Sequence, residues 1–313
     1  MRFQLLRQVF SGVVLHRSRG TDKKMTRRDI LLALAAGKTG AIRLEIGNYG
    51  IQALAVDDAI EQIRRIGYDG AELCLMPGWP SEPKALSSAD RRRIRETRFP
   101  IPTMIEAFNL MASDEAHRTT LNRIRGAAAL AYDLNPADPP ILQTVLGGRA
   151  GDWPEIRGTM ASRLADWGKV AAANKIKLAV KAHASNAVDT PSKLLSLLDQ
   201  VNNPSIVAIY DYGHFQLRDL TIEQTMDEML RRTSFITVKD SKVVDGKPLF
   251  LLPGEGSIDY ARYFRKVREV GWKGWVLVEV SSQVFRQSGY DPIRAAEKSY
   301  AHLAPILAAA GLR

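Results

Sequence analysis

Ionisable residues recur in this sequence at the ends of short apolar runs, where chemistry would be done. Glu45 and Asn48 follow the first run, and Glu72 lies in the second. Glu106 and Asn109 close the third, and Arg149 follows the fourth. The fifth ends in Lys181-Ala182-His183 and the sixth in Asp211-Tyr212-Gly213-His214. Thr237, Lys239 and Asp240 mark the seventh; Glu279, Ser281 and Ser282 mark the eighth. A packed core has no use for so many charges, because a buried charge must be paired, bound to a metal or neutralised. Some have a structural use: Glu72 and Glu106 can pair with arginines such as Arg43, and Asp240 can cap a loop. The groups at the fifth, sixth and eighth runs are harder to assign to packing.

The elements that must position these groups alternate regularly. Strand patterns cover 42–46, 70–75, 102–108, 141–146, 176–180, 206–211, 235–239 and 275–280. Helical periodicity fills the gaps over 56–66, 87–98, 113–132, 154–174, 190–201, 221–231, 258–270 and 291–310. Gly67 closes the first helix, Ser87 or Ser88 caps the second, and Thr190-Pro191 opens the fifth. Eight strand–helix units in about 270 residues have the length and rhythm of an α/β protein of the (β/α)8 TIM-barrel class. In that fold reactive groups sit at the C-terminal ends of strands. The rival doubly wound sheet opens on a Gly-rich phosphate loop, and Gly47-Asn48-Tyr49-Gly50 is not one. One domain over 41–313 is the expectation, preceded by a basic extension over 1–40.

Composition narrows the function classes. The 313 residues are 45% hydrophobic and 25% charged, which excludes general disorder. No apolar run has the length of a membrane span, so no integral membrane segment is expected. The single cysteine, Cys74, forbids an internal disulfide and any Cys-based zinc site. The net charge of +10 is concentrated in residues 1–40, where nine Lys/Arg face only Asp22 and Asp29. That segment carries +7 and leaves +3 for the rest, so no nucleic-acid partner is expected. Thr26-Arg27-Arg28 and the apolar run over 30–36 resemble the start of a twin-arginine export signal. Two locations stay open, the cytoplasm and export to the bacterial periplasm.

The order of these pieces resembles the xylose isomerase-like barrel superfamily of sugar phosphate isomerases and epimerases, over about residues 41–310. Residues 59–75 (AIEQIRRIGYDGAELCL) resemble its entry to the second strand, and Asp211-Tyr212-Gly213-His214 its Asp-x-x-His. Thr237-Val238-Lys239-Asp240 stands where the family often has His-x-Lys-Asp. Gly254-Glu255-Gly256-Ser257-Ile258-Asp259 resembles its Gly-Glu-Gly-x-(Ile/Val)-Asp, and residues 274–279 its last strand with a terminal Glu. The resemblance implies a small-molecule carbohydrate as partner and a homo-oligomer as one expectation of the fold. It also implies one divalent cation (manganese, magnesium, cobalt or zinc) on Glu, Asp, His and Glu from strands five to eight.

Carried over by position, the metal ligands are Asp211 and Glu279, while the other two places hold Lys181 and Thr237. An ammonium about 4 Å from a divalent ion repels it by roughly 8 kcal/mol at an effective dielectric near 20. No cofactor is therefore firmly expected, and Lys181 can sit between Asp211 and Glu279 in the ion's place. The leading expectation is an isomerase or epimerase that transfers a proton beside a carbonyl. In it Glu279 is the base, Lys181 the fixed positive charge, and His214 a second acid/base group. His183, Glu72, Glu106 and Lys239 are expected to bind substrate, and Trp79 to stack on a sugar ring. The alternatives are an inactive carbohydrate-binding homologue and a Schiff-base lyase using Lys181 or Lys239. A zinc-dependent DNA-repair endonuclease is a remote fourth, since His16, His117 and His302 fall in the tail or in helical stretches.

Overall fold

The computed structural model describes residues 41–313. The basic extension and its twin arginine lie outside the described residues. Eight parallel strands close into a barrel: β1 (Ile42–Gly47), β2 (Gly70–Cys74), β3 (Thr103–Ile105), β4 (Ile141–Val145), β5 (Leu178–Lys181), β6 (Ile206–Asp211), β7 (Thr233–Val238) and β10 (Gly274–Val278). The order around the barrel is β1-β10-β7-β6-β5-β4-β3-β2, so each strand pairs with its sequence neighbour in the barrel and the last closes on the first. The helices between them are α1 (Val56–Ile66), α2 (Ser88–Glu96), α3 (Asp114–Leu134), α4 (Trp153–Ala173), α5 (Pro191–Val201), the short α6 (Tyr212–Phe215), α7 (Ile222–Met229), α8 (Tyr260–Val270), the short α9 (Ser282–Phe285) and α10 (Pro292–Ala309). The expected TIM barrel is thus the fold.

Local signals start and stop these helices. Ser87 and Asp90 form a capping box at α2, and Thr221 and Gln224 form another at α7. Ser113, Thr190, Asp259 and Asp291 cap α3, α5, α8 and α10 through their side chains. Gly67 ends α1 at φ 114°, a conformation a Cβ would strain. Among the described residues no helix is long and apolar enough to cross a membrane.

Strand alternation sorts the side chains into two sets. Leu44, Ile46, Leu178, Val180, Ile236 and Val278 belong to the layer between barrel and helices. Ala179, Ile209, Phe235 and Leu277 form a separate inner plug, flanked by Ile141, Val207 and Trp275. Arg43 stacks over Trp275 at 4.1 Å. Two residues further along the same inward rows come Lys181, Asp211, Thr237 and Glu279. The inner face thus runs from an apolar plug to a charged layer at the C-terminal end.

Two departures from the sequence pattern matter. The third strand ends at Ile105 rather than 108, because its backbone leaves the ladder early. Phe108 N–H donates to the Thr144 hydroxyl at 2.9 Å instead of to a strand carbonyl. Periodicity assigns no element between 239 and 258, yet an antiparallel hairpin stands there, β8 (Asp240–Val244) with β9 (Lys247–Leu251). Its turn is Asp245-Gly246, both at positive φ, a turn pair suited to two-residue hairpins. Asp240 is fully buried and accepts from the N–H groups of Gly254 (2.7 Å) and Ile258 (3.0 Å). It ties the Gly254–Asp259 loop to the hairpin. Asp240→Ala strands both donors and should lower stability by on the order of 2–3 kcal/mol. A urea midpoint shift worth under about 0.5 kcal/mol, the range of neutral surface changes, would show the clamp to be dispensable.

Candidate functional site

Four charged side chains meet at the C-terminal end of the barrel. Lys181 ends β5, Asp211 ends β6, and Lys239 and Glu279 each follow directly on β7 and β10. Asp211 Oδ2 accepts from Lys239 Nζ at 2.6 Å and from Lys181 Nζ at 3.2 Å. Glu279 accepts from Lys239 Nζ at 2.9 Å and closely from Lys181 Nζ. Each ammonium therefore bonds both carboxylates, and the ring of charges sums to zero. Glu279 is 12% exposed, against 2% or less for its three partners, so it is the member nearest the open space.

The ring sets the protonation states around it. Burial works against ionised Glu279, but the charges of Lys181 and Lys239 outweigh it and pull its pKa down to about 2. Asp211 is held below its ordinary range by the same contest, Lys239 and then Lys181 overcoming burial. Burial opposes charge on Lys181, yet Glu279 and Asp211 raise its pKa, so it stays an ammonium. Schiff-base chemistry needs the free amine, and this environment withholds it.

Two histidines lie beside the ring with centroids 4.0 Å apart. Burial, then the lysine charges, lowers His183 to about 4; burial, then Lys239, puts His214 well below its ordinary value. Both are neutral at pH 7. His183 Nδ1 accepts from Ser185 N–H (3.1 Å) and His214 Nδ1 from Ala184 N–H (3.3 Å). Each ring thus carries its proton on Nε2. His214 Nε2 faces Asp211 Oδ2 at 3.4 Å.

A second polar layer lies on the side of β1–β4. The Thr103 hydroxyl stands 3.0 Å from Glu45 Oε2 and 3.3 Å from Glu72 Oε1, and Gln143 Nε2 donates closely to Glu72. Burial raises Glu72 to about 8 and, with the neighbouring Glu72 charge, raises Glu45 well above the carboxylate range. Gly47 makes room here, since a Cβ would stand 2.7 Å from Glu72 Oε2 and force that side chain to shift.

A cavity of about 320 Å³ opens above the ring. Lys181, His183, His214, Lys239, Glu279 and Glu106 line it. Asp211 forms the buried side of the ring, beneath the lining. Glu106 pairs with Arg123 of α3 rather than with Arg43. Two of the expected binding residues stand outside this lining. Glu72 does not line the cavity, because Gln143 covers its carboxylate. Trp79 does not line it either: its ring stacks on Tyr49 at 5.5 Å and its Nε1 donates to Tyr49 O at 3.1 Å. Tyr49 takes the place at the cavity wall, two residues past the end of β1. Sequence reasoning also missed Phe250 of the hairpin, a lining residue 4.9 Å from His214 and 5.3 Å from Lys239 Nζ. The Asp245-Gly246 turn was the available signal for it.

The fold and these positions define a (β/α)8 barrel with a charged, polar pocket at its C-terminal face. The chain belongs to the xylose isomerase-like TIM barrel family, whose pattern matches residues 60–306. Inosose dehydratase from Salmonella typhimurium (strain LT2) is 23% identical over 157 residues, 45% of this chain and 50% of that protein. The chain thus spans about half the length of the curated relatives it matches. The IOLI protein, solved with a zinc atom, superposes with a TM-score of 0.68 at 18% identity, covering 84% of this chain and 99% of that one. L-ribulose 3-epimerase gives 0.67 at 15% identity, covering 86% and 95%. At these identities the structural likeness is one of fold.

The cation that the family resemblance implies does not fit these residues. Of the four corresponding positions, Lys181 is a cation, Thr237 supplies a hydroxyl, and both carboxylates are bonded to two ammonium groups. Among the described residues no group of three or more His, Cys, Asp or Glu is placed to hold a metal ion.

The buried carboxyls make stability depend on pH. From about pH 4.5, the ordinary value, to about 8, folded Glu72 keeps a proton that the unfolded chain releases. Stability therefore falls as pH rises through that window, by roughly 1.4 kcal/mol per pH unit for this proton. Glu72→Gln has no such proton, so urea unfolding between pH 5 and 8 should show a flatter decline than wild type. Identical slopes would mean that Glu72 is ionised in the fold.

Proposed function

We propose that this protein is a carbohydrate-modifying enzyme that moves a proton on the carbon beside a carbonyl, with an internal ammonium pair as its fixed positive charge. One observation carries the reading. An ammonium has three N–H groups, and Lys181 and Lys239 each spend two on the shared carboxylates. One N–H on each remains, from two groups that both line the cavity. Two such donors suit one carbonyl oxygen that gains negative charge.

The steps follow from the charges. The substrate's carbonyl oxygen docks on the two free N–H groups. A carboxylate with a pKa near 2 is a weak base, so Glu279 gains basicity only as the ammonium groups shift toward that oxygen. Glu279 then takes the proton from the adjacent carbon, and the C–H electron pair moves into an enolate whose oxygen the ammonium groups hold. Return of a proton to carbon completes an isomerisation or epimerisation. Departure of a β-hydroxyl as water, with the enolate pair forming the new C=C bond and the leaving oxygen taking the proton that Glu279 holds, instead completes a dehydration, the reaction that the inosose dehydratases are named for. The neutral Nε2–H of His183 suits hydrogen bonding to substrate oxygens and proton return, while that of His214 faces Asp211 and orients the ring beneath it.

A second reading has its own support. A Glu279 held near pKa 2 also describes a sugar-binding homologue without chemistry. Deuterium exchange from solvent into a keto sugar separates the two. Exchange by wild type should survive chelation, and Lys181→Met should slow it by about 100- to 1,000-fold, the cost of one oxyanion donor. Saturable sugar binding without exchange would favour the binding protein. Exchange abolished by chelator and restored by a divalent ion would remove the ammonium pair from the mechanism, whatever the stability of the variant.

A further inference from the structure

We propose that the ligand is a neutral glycoside, with its keto ring in the central cavity and the group on its glycosidic oxygen in a second cavity beside it. The inference rests on the reading above and names its substrate class.

Charge gives the first half of the argument. The two lysines of the central cavity are matched by Asp211 and Glu279, and Glu106 is matched by Arg123. Among the described residues no arginine lines this cavity. A phosphate ester would bring two negative charges to a wall with no net positive charge to receive them. A neutral polyol meets donors and acceptors without that cost.

Shape gives the second half. A cavity of about 420 Å³ opens on the loops after β3, β4 and β5. The two linings have no residue in common but draw on the same three loops. Ala107, Val145 and Ser185 line the first; Asn109, Gly147 and Asn186 line the second. Ala187 N–H bonds Gly147 O at 3.4 Å and holds two of the loops together. Gly147 and Gly148 both have positive φ, 73° and 74°. A Cβ on Gly147 would strike the Asn109 side chain, and one on Gly148 would stand 2.9 Å from Ala187 and Ile156. The two glycines thus let the loops pack closely along the wall of the second cavity. Met111 and Ile156 give it an apolar surface; Asn186 and the exposed Arg149, paired with Asp152 at 3.1 Å, give it a neutral polar rim. An aglycone or second sugar ring suits such a surface.

Three probes test the assignment: 3-keto-D-glucose, its phenyl β-glycoside and its 6-phosphate. Affinity is read by calorimetry and turnover by solvent deuterium exchange. The glycoside should bind at least about 10-fold tighter than the free keto sugar, and the phosphate more weakly than either. Met111→Trp, which fills the second cavity, should bring the glycoside-to-free-sugar ratio toward one; the ratio cancels losses common to both probes. Equal affinity for glycoside and free sugar, tighter binding of the phosphate, or a ratio indifferent to Met111→Trp overturns the glycoside assignment. If exchange persists in those cases, the proton-transfer reading stands without it. The expected order of affinity with no exchange on any probe supports the ligand class and removes the enzyme. No binding by any of the three removes both.

Discussion

Two ammonium groups shared by two buried carboxylates hold the active end of this barrel together. Four charges taken from water are costly, and a single unmatched member would be costlier still. The ring solves this by symmetry: each cation touches both anions, and each anion touches both cations. Replacing one lysine by a neutral residue leaves a buried carboxylate under-compensated. The strands carrying these groups, β5, β6, β7 and β10, are adjacent in the barrel. Register fixes them as well, with Asp211 level with Thr237 and Thr237 level with Leu277.

The rest of the interior is arranged around that ring as a gradient of ionisation. Charges concentrate on the β5–β10 side, where each has a partner of opposite sign. On the β1–β4 side burial outweighs the more distant Arg43 and Lys181, and the carboxyls of Glu45 and Glu72 are pushed toward the neutral form. The histidines between ring and cavity stay uncharged for the same reason, since burial and two cations both oppose a third positive charge. Phe250 covers one side of this group, and its backbone N–H is fixed by Gln283 of α9 at 2.7 Å. Excluding water there strengthens every Coulombic term in the ring.

Much of this was legible because a parallel barrel repeats one rule eight times. A run of branched apolar residues followed by a polar one marks a strand and its active end, so Lys181, Asp211 and Glu279 stood out in one dimension. Lys239 has the same inward parity as Thr237, yet its bond to both carboxylates depends on how the chain leaves β7, which periodicity does not encode. The hairpin escaped because its strands are short and half-exposed, with only Asp245-Gly246 to announce it. The sequence points to Trp79 and not to Tyr49, because their stacking is set between two loops, where neither residue has a period to follow. Glu106 found Arg123 because α3 lies across the end of β3, a packing that no local pattern shows.

A tethered cation pair differs from a bound metal ion in what it asks of the substrate. An ion with open coordination sites can take a carbonyl oxygen without losing a protein ligand. These ammonium groups already have four carboxylate bonds, and the carboxylate that would act as base is the one they hold. In the proposed mechanism, docking an oxygen on them would loosen the hold on Glu279, so that binding and activation of the base would be a single event. On that proposal an empty site would keep a weak base, and only a ligand with an oxygen at the right place would strengthen it. The same coupling explains how one geometry supports two readings. If a ligand's oxygens cannot draw the ammonium groups away from Glu279, the barrel binds a sugar and does nothing to it. If they can, the proton on the neighbouring carbon becomes labile.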